Sequence, residues 1–129
     1  MSSNDIITIA SKGIADHVVI NSKSPSIVIG FDNEISFDRY ASLTAGIFAA
    51  NGVKVYLFRS AVTSDSVSEK LRQDNLSAGL FIMNKKDKDG VSFEIKGIDE
   101  TMIIYPDSSD EVRIGDYKSG VQAGCISLI

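Results

Sequence analysis

Residues 26–58 constrain the fold more than any other segment, because two short apolar runs flank an amphipathic segment. The first run, Ser26–Phe31, is rich in β-branched residues, which is typical of a strand covered on both faces. The second run, Val53–Phe58, has the same character. The helical segment between them ends at Asn51-Gly52, since glycine adopts a positive φ without strain. The pattern predicts two parallel strands joined by a right-handed helical crossover.

Further helices and strands flank this unit. Apolar side chains recur at helical spacing from Asn4 to His17, which predicts a first helix with His17 on its apolar face. Ser36 is the predicted N-cap of the second helix, and a capping box at Ser66–Glu69 predicts the start of a third. The apolar run Ala78–Met83 is the predicted third strand.

A fourth strand, Val91–Lys96, follows through a short polar loop that ends in Asp-Gly, a hairpin signal. We therefore expect it to run antiparallel at the edge of the sheet. The pattern also predicts a strand at Thr101–Tyr105 and, within Tyr117–Ile129, a short helix followed by a strand. Together these elements predict a three-layer α/β/α sandwich with a mixed, mainly parallel sheet and an antiparallel edge strand. Residues 1–129 are expected to form a single domain, and the apolar final residues favour a fragment of a longer chain or a docked last strand.

Composition excludes several classes of function. With 43% hydrophobic and 23% charged residues, the chain has the make-up of an ordinary globular domain. Its net charge of −4 leaves no excess of Lys and Arg to displace counterions, so we expect no nucleic-acid binding. No apolar run reaches the roughly 20 residues of a membrane helix, and we expect neither a membrane span nor a secretory signal. A single cysteine fits a reducing compartment, which predicts a cytoplasmic protein.

The predicted hairpin loop forms one candidate site. It follows the end of a strand, where positive charge suits a phosphate group, and contains the candidate residues Asn84, Lys85, Lys86 and Lys88. The aspartates that alternate with these lysines favour a simpler interpretation, a solvated turn. Asp87–Gly90 also has the start of a calcium loop, but the other oxygen ligands and the closing Glu are missing. We therefore expect no metal site.

Two more positions lie at the carboxyl ends of predicted strands, where open α/β sheets bind ligands. Asp32 and Glu34 are either a carboxylate pair on one face of a strand or acids in a turn that leads into the second helix. Thr63 and the residues up to Ser66 either bind an anion at the N-terminus of the third helix or cap that helix. In both cases the second interpretation is the simpler one.

His17 and Cys125 are the only histidine and the only cysteine. Because His17 lies on the apolar face of the predicted first helix, we expect a packed histidine and not a general base. Cys125 lies in an apolar run without a neighbouring histidine, which predicts a buried, unreactive thiol. The residues alone therefore predict no catalytic side chain.

Five short segments follow one another in a particular order: Gly30-Phe31-Asp32, Ala49–Gly52, Val53–Phe58, Ala78–Ile82 and Gly90–Ile95. In this order they resemble domain I of the phosphoglucomutase/phosphomannomutase family, the α-D-phosphohexomutases. There, a strand ends in Gly-aromatic-Asp-x-Arg, a helix ends in Ala-Ala-Asn-Gly, and a later strand leads into a phosphorylated serine in Thr-Ala-Ser-His-Asn-Pro. The resemblance covers residues 5–97 and implies the same α/β/α fold.

The same comparison shows differences at the family's phosphoserine loop. In the place of Thr-Ala-Ser-His-Asn-Pro, this chain has Met83–Lys88, without a Ser, Thr, Cys or His to accept a phosphoryl group. Glu34 stands where the family has the Arg of Asp-x-Arg, and Val62-Thr63-Ser64 replaces Pro-Thr-Pro. The family binds Mg²⁺ through an acidic loop of another domain, so we expect no cofactor for this chain.

The resemblance implies phosphoryl transfer on hexose phosphates in carbohydrate metabolism, whereas the differences predict a chain that is catalytically silent alone. One hypothesis is therefore an interaction or structural role, in which the chain packs against further mutase-like domains or against itself. The other is a fragment of a divergent phosphoglucomutase/phosphomannomutase that acts on hexose phosphates together with other domains.

Overall fold

The computed structural model describes residues 3–84, 91–97, 102–104, 122 and 124–129. The described residues form the helices α1 (Ser3–Ile20), α2 (Phe37–Ala50) and α3 (Ser64–Gln73) and the strands β1 (Ser26–Phe31), β2 (Lys54–Leu57), β3 (Ala78–Asn84), β4 (Val91–Lys96), β5 (Met102–Ile104) and β6 (Ile126–Leu128). Among these helices, none is long and apolar enough to cross a membrane.

The strands form one sheet in the order β5-β4-β3-β1-β2-β6. Strand β1 pairs in parallel with β2 and β3, so the predicted parallel pairing of β1 with β2 is confirmed. Strand β6 adds in parallel to the outer side of β2. Strand β4 runs antiparallel to β3 as predicted. Its predicted place at the edge is wrong, because the short strand β5 pairs with it on its outer side. The antiparallel edge strand is therefore β5, which lies within the predicted strand Thr101–Tyr105.

Helices cover both faces of the sheet, which confirms the predicted three-layer sandwich. Helices α1 and α2 pack on one face, where the main core contains the fully buried Ile27, Ile29 and Leu80. Helix α3 packs on the other face over a smaller core centred on Val28, Val67 and Phe81. The central strand β1 thus contributes alternate side chains to both cores, as a strand covered on both faces should.

The buried face of α1 differs from the prediction. It contains Ile7, Ala10, Ile14, Ala15 and Val18, whereas His17 is exposed, so its predicted place on the packed face is wrong. Two polar residues on the buried face explain the error, because a search for apolar side chains alone passes over them. Ser11 donates a buried hydrogen bond of 3.0 Å to Thr44 of α2, and Thr8 is also buried.

The ends of the other two helices test the predicted caps. Helix α2 ends at Ala50 with Asn51 as its C-cap, and Gly52 has φ +87°, so the predicted stop is confirmed. Helix α3 begins at Ser64 and not at the predicted capping box, because Thr63 is the N-cap and its hydroxyl accepts from the backbone N–H of Ser66. The helix therefore starts earlier than predicted, because Thr63, three positions before Ser66, is also a residue that caps helices.

Helix α3 approaches the sheet closely over two glycines. A Cβ atom at Gly30 would lie 2.6 Å from Cγ2 of Val67 and 2.9 Å from Cγ2 of Val62. A Cβ atom at Gly79 would lie 2.9 Å from Cγ1 of the same valine. The absence of these two side chains therefore creates the depression in which Val67, which is fully buried, is packed.

We expect Gly30→Ala to lower the free energy of unfolding by about 1–3 kcal/mol, because Val67 is stiff and cannot move aside without separating α3 from β1. Urea unfolding followed by circular dichroism measures the change. The matched control is Gly13→Ala on α1, where nothing lies within 4 Å of the new Cβ. That control should leave the stability unchanged or raise it by up to about 1 kcal/mol. Equal losses in the two variants would contradict the close approach.

Candidate functional site

The carboxyl ends of β1, β2 and β3 lie at one edge of the sheet, which we call the strand-end edge. The backbone N–H of Asp32 donates to the carbonyl of Ile82 at 2.9 Å, so Asp32 directly follows the β1–β3 pairing. The N–H of Val62 donates to the carbonyl of Phe31 at 3.0 Å. These bonds place two of the predicted site residues, Asp32 and Thr63, in the two segments that leave the sheet side by side.

Asp32 and Glu34 lie in a turn and not on a strand, since β1 ends at Phe31. Both side chains are exposed, and Oδ1 of Asp32 accepts from the N–H of Asn33 at 2.8 Å. The premise of a carboxylate pair on one face of a strand is therefore wrong. The structure agrees with the simpler interpretation, acids in a turn that leads into α2.

This turn contains a non-glycine residue in the left-handed region. Ser36, the predicted N-cap of α2, has φ 73° and ψ −3°, and its side chain makes no capping hydrogen bond. The N–H of Phe37 donates to the carbonyl of Glu34 at 3.2 Å, so Ser36 occupies the position of a type II turn that normally favours glycine. Ile35 at the tip of the turn is 94% exposed.

Thr63 is an ordinary N-cap. Its Oγ1 atom lies 3.3 Å from the backbone nitrogen of Ser66 and 3.2 Å from the hydroxyl oxygen of that serine. The hydroxyl is thus already engaged with the first turn of α3, although the Thr63 side chain is exposed. The capping interpretation is the one that the geometry of α3 supports.

Strands β3 and β4 form the predicted hairpin and are paired up to Asn84. Asn84 at the end of β3 pairs with Val91, so only residues 85–90 lie between the paired ends of the two strands. Asn84 is exposed, and its carbonyl lies 3.4 Å from the hydroxyl of the buried Ser92. The predicted phosphate ligands Lys85, Lys86 and Lys88 lie outside the described residues.

Four polar residues form a network between α3 and β4 that the sequence analysis missed. In this α3–β4 network, the ammonium group of Lys96 donates to the carbonyl of Ser64 at 2.9 Å and to the hydroxyl of Ser68 at 2.6 Å. It also lies 3.3 Å from Oε1 of Glu94, which accepts a hydrogen bond from the Ser64 hydroxyl. The Lys96 and Glu94 side chains are only 11% and 18% exposed. The Lys96 ammonium group thus donates two hydrogen bonds to α3 and forms an ion pair with Glu94, and these contacts link the first turns of α3 to β4.

A sequence signal for this network did exist. Glu94 and Lys96 are two residues apart on a predicted strand, so they share a face of the sheet. Their pairing partners across β3, Phe81 and Gly79, lie under α3, and the charged pair therefore faces this helix. An acid and a base two residues apart, on the face of a strand that packs against a helix, indicate a charged contact beneath that helix.

The remaining candidates do not converge on a site. Among the described residues, no group of three or more His, Cys, Asp or Glu side chains is placed to hold a metal ion. Cys125 is half-buried before β6, so the predicted burial of this thiol is wrong, whereas its predicted lack of reactivity stays a prediction. His17 and Cys125 contribute nothing to the strand-end edge, because His17 is on α1 and Cys125 lies beside the start of β2.

Comparison with known protein families shows which family this chain is related to. Residues 2–111 match the family description "Phosphoglucomutase/phosphomannomutase, alpha/beta/alpha domain I". The chain belongs to this family. The resemblance predicted from five segments over residues 5–97 is thus confirmed over a longer stretch.

Two individual proteins with similar sequences have names that agree with this family. Over 77 residues, 60% of this chain, it is 31% identical to a protein of Haemophilus influenzae described as a probable phosphomannomutase. Over 108 residues, 81% of this chain, it is 29% identical to a phosphoglucomutase of Staphylococcus haemolyticus. The chain spans 16% and 19% of the lengths of these two relatives.

A solved structure shares the fold. The crystal structure of a protein assigned as a phosphomannomutase from Thermus thermophilus superposes with a TM-score of 0.68 at 18% sequence identity. The match covers 74% of this chain and 22% of that one. At this level of identity the comparison establishes the domain I architecture and not a shared activity.

We expect Lys96→Met to lower the free energy of unfolding by about 2 kcal/mol, because Glu94 would remain largely buried without its cation. The matched control is Lys70→Met, which breaks the more exposed 2.7 Å ion pair with Asp74 and should cost less than about 1 kcal/mol. Urea unfolding gives both values. Amide hydrogen exchange in the first turn of α3 should accelerate only in the Lys96 variant. Equal effects of the two substitutions would refute the role of the network.

Proposed function

We propose that this chain is a domain I module that carries no phosphoryl group itself and has an interaction or structural role. The observation that carries the proposal is the β3–β4 hairpin, which closes at the Asn84–Val91 pair. The six residues between the paired ends are Lys, Lys, Asp, Lys, Asp and Gly. Serine, threonine, cysteine and histidine are all missing from this segment, and these are the side chains that commonly accept a phosphoryl group.

Hydroxyl groups around the hairpin already have structural partners. Ser92 is 1% exposed on β4. Ser64 donates to Glu94 within the α3–β4 network, and Thr63 caps α3. Each of these three side chains would have to give up its present contact before it could act as a nucleophile. Their engagement supports a module that lacks a phosphoryl acceptor at this edge.

We also infer a cytoplasmic location for this role. The single cysteine, half-buried and unpaired, is compatible with a reducing compartment.

We expect no mass gain when the purified chain is incubated with a hexose 1,6-bisphosphate and Mg²⁺, because the hairpin offers no acceptor for the phosphoryl group. Intact-mass spectrometry measures the outcome, with a phosphomannomutase of the same family treated in parallel as the positive control. A stable gain of one phosphoryl group on this chain would refute the proposal, and peptide mapping would then identify the acceptor.

Membership of the family favours a second candidate function, a contribution to hexose-phosphate binding in a larger mutase. The chain spans 16% and 19% of the lengths of the two relatives, so most of their residues lie outside the matched segments. In this proposal the strand-end edge contributes Asp32, Thr63, Asn84 and the lysines 85, 86 and 88. Another domain would supply the acidic loop for Mg²⁺ and the groups that clamp the transferring phosphoryl.

If this second function holds, glucose 1-phosphate should bind weakly, with a Kd on the order of 1 mM, since one domain supplies only part of a site. NMR titration should then shift the amide signals of Asn84 and Val91. Replacing Lys85, Lys86 and Lys88 together by Ala should abolish these shifts. The matched control replaces Lys12 and Lys23, which lie away from this edge, and should keep them. Unchanged spectra up to several times that concentration would remove the second candidate.

A further inference from the structure

The strongest unassigned feature of the fold is the contact between β2 and β6, which we call the β2–β6 seam. The N–H of Val55 donates to the carbonyl of Cys125 at 2.8 Å, and the N–H of Ile129 donates to the carbonyl of Leu57 at 2.8 Å. The N–H of Arg59 continues the pattern to the carbonyl of Ile129 at 3.0 Å. A strand of only three residues is thus held by a complete set of backbone contacts over its length.

Side chains on both faces reinforce the seam. Ile126 is 3% exposed in the main core, and Leu128 packs against the same core. On the opposite face, Ile129 packs with the smaller core, and the Lys54 ammonium donates to the hydroxyl of Ser127 at 2.9 Å. A strand that fits this seam needs apolar side chains on the face towards α2 and a small polar side chain on the face beside Lys54.

Strand β6 lies outside the residues that match the family. The match ends at residue 111. Among the described residues within 2–111, no strand pairs with the outer side of β2, and β6 is the strand that covers this edge. Such an edge is a template for an added strand.

We propose that the outer edge of β2 is a strand-accepting site, and that its partner is residues 124–129 of a second copy of this chain. The proposal rests on the interaction role proposed above and names its partner. A second copy presents the same residues in the same register, so every contact of the seam is reproduced between copies without a new interface.

Chain length permits the exchange. Residues 105–125 separate β5 from β6, and a chain of this length reaches at most about 70 Å. The sheet that β6 must cross is about 24 Å wide, five strand spacings of nearly 5 Å. The same segment therefore has the reach to place β6 on its own sheet or on a neighbouring one. Pairing within the chain dominates at low concentration, and exchange competes as the chain concentration approaches the effective concentration of the tethered strand.

Disulfide trapping between two variants of the full chain tests the exchange. One carries Tyr56→Cys and the other Ser127→Cys, since these two residues are register partners across the seam. Both carry Cys125→Ser so that the native thiol cannot react. Neighbouring strands bring Cα atoms within disulfide range, so a bond between the two variants forms above the level of random collision only when β6 of one lies beside β2 of the other.

The variants are unfolded together, refolded at micromolar and at near-millimolar concentration, and oxidised. We expect several-fold more mixed dimer than from a control mixture of Ser127→Cys with Asp16→Cys, whose position is exposed on α1. The excess should rise with concentration. As an internal control, a single chain with both Tyr56→Cys and Ser127→Cys should form an intramolecular disulfide at low concentration.

Two outcomes would overturn the proposal. The first is an internal disulfide that forms while the mixed dimer stays at the level of the control mixture. The second is failure of the internal disulfide, because β6 would then not lie beside β2 at all. Neither outcome depends on phosphoryl transfer, so the exchange and the absence of a phosphoryl acceptor fail independently.

Discussion

Parallel pairing of β1 with β2 on one side and β3 on the other decides where every candidate residue lies. Because the three strands run in the same direction, Asp32, the segment before α3 and Asn84 all leave the sheet at one edge. The same pairing places Gly30 and Gly79 under α3, and the missing side chains let Val67 reach the backbone of both strands. The close fit of α3 and the position of Thr63 at the strand-end edge are therefore two results of one arrangement.

Strand positions were predictable because buried parallel strands leave a strong apolar signal. Ser26–Phe31 was predicted to the residue for this reason. The antiparallel strand Val91–Lys96 was also predicted to the residue, because the Asp-Gly turn signal before it marks its start. The helix surfaces were less predictable, because polar residues can be buried when they bond to each other. Ser11 and Thr44 form such a pair. The packed face of α1 therefore includes Ser11 and leaves His17 exposed, contrary to the prediction. The pairing of β5 outside β4 was also missed, since no local pattern reveals which of two successive hairpin strands ends at the edge.

The candidate site shows the same limit more clearly. Turn chemistry at Thr63 and Asp32 is local, so the simpler interpretations could be made from neighbouring residues alone. The α3–β4 network joins residues about 30 positions apart, Ser64 with Glu94 and Ser68 with Lys96. Such a contact depends on the register between β3 and β4 and on the axial position of α3. Family membership and the architecture were therefore accessible from the sequence, while the contacts that fix the edge required the fold.

The left-handed conformation of Ser36 has a consequence for the turn between β1 and α2. A non-glycine residue in this region costs about 1 kcal/mol, and the surrounding bonds must hold it there. The anchor on the helix side is Phe37, which is 4% exposed and contacts the ring of Tyr40 at 6.0 Å between centroids. The isoleucine at the tip is consequently presented by a preorganised backbone. A molecule that contacts this tip would have little backbone entropy to remove, and the remaining cost of ordering would be that of the exposed Ile35 side chain.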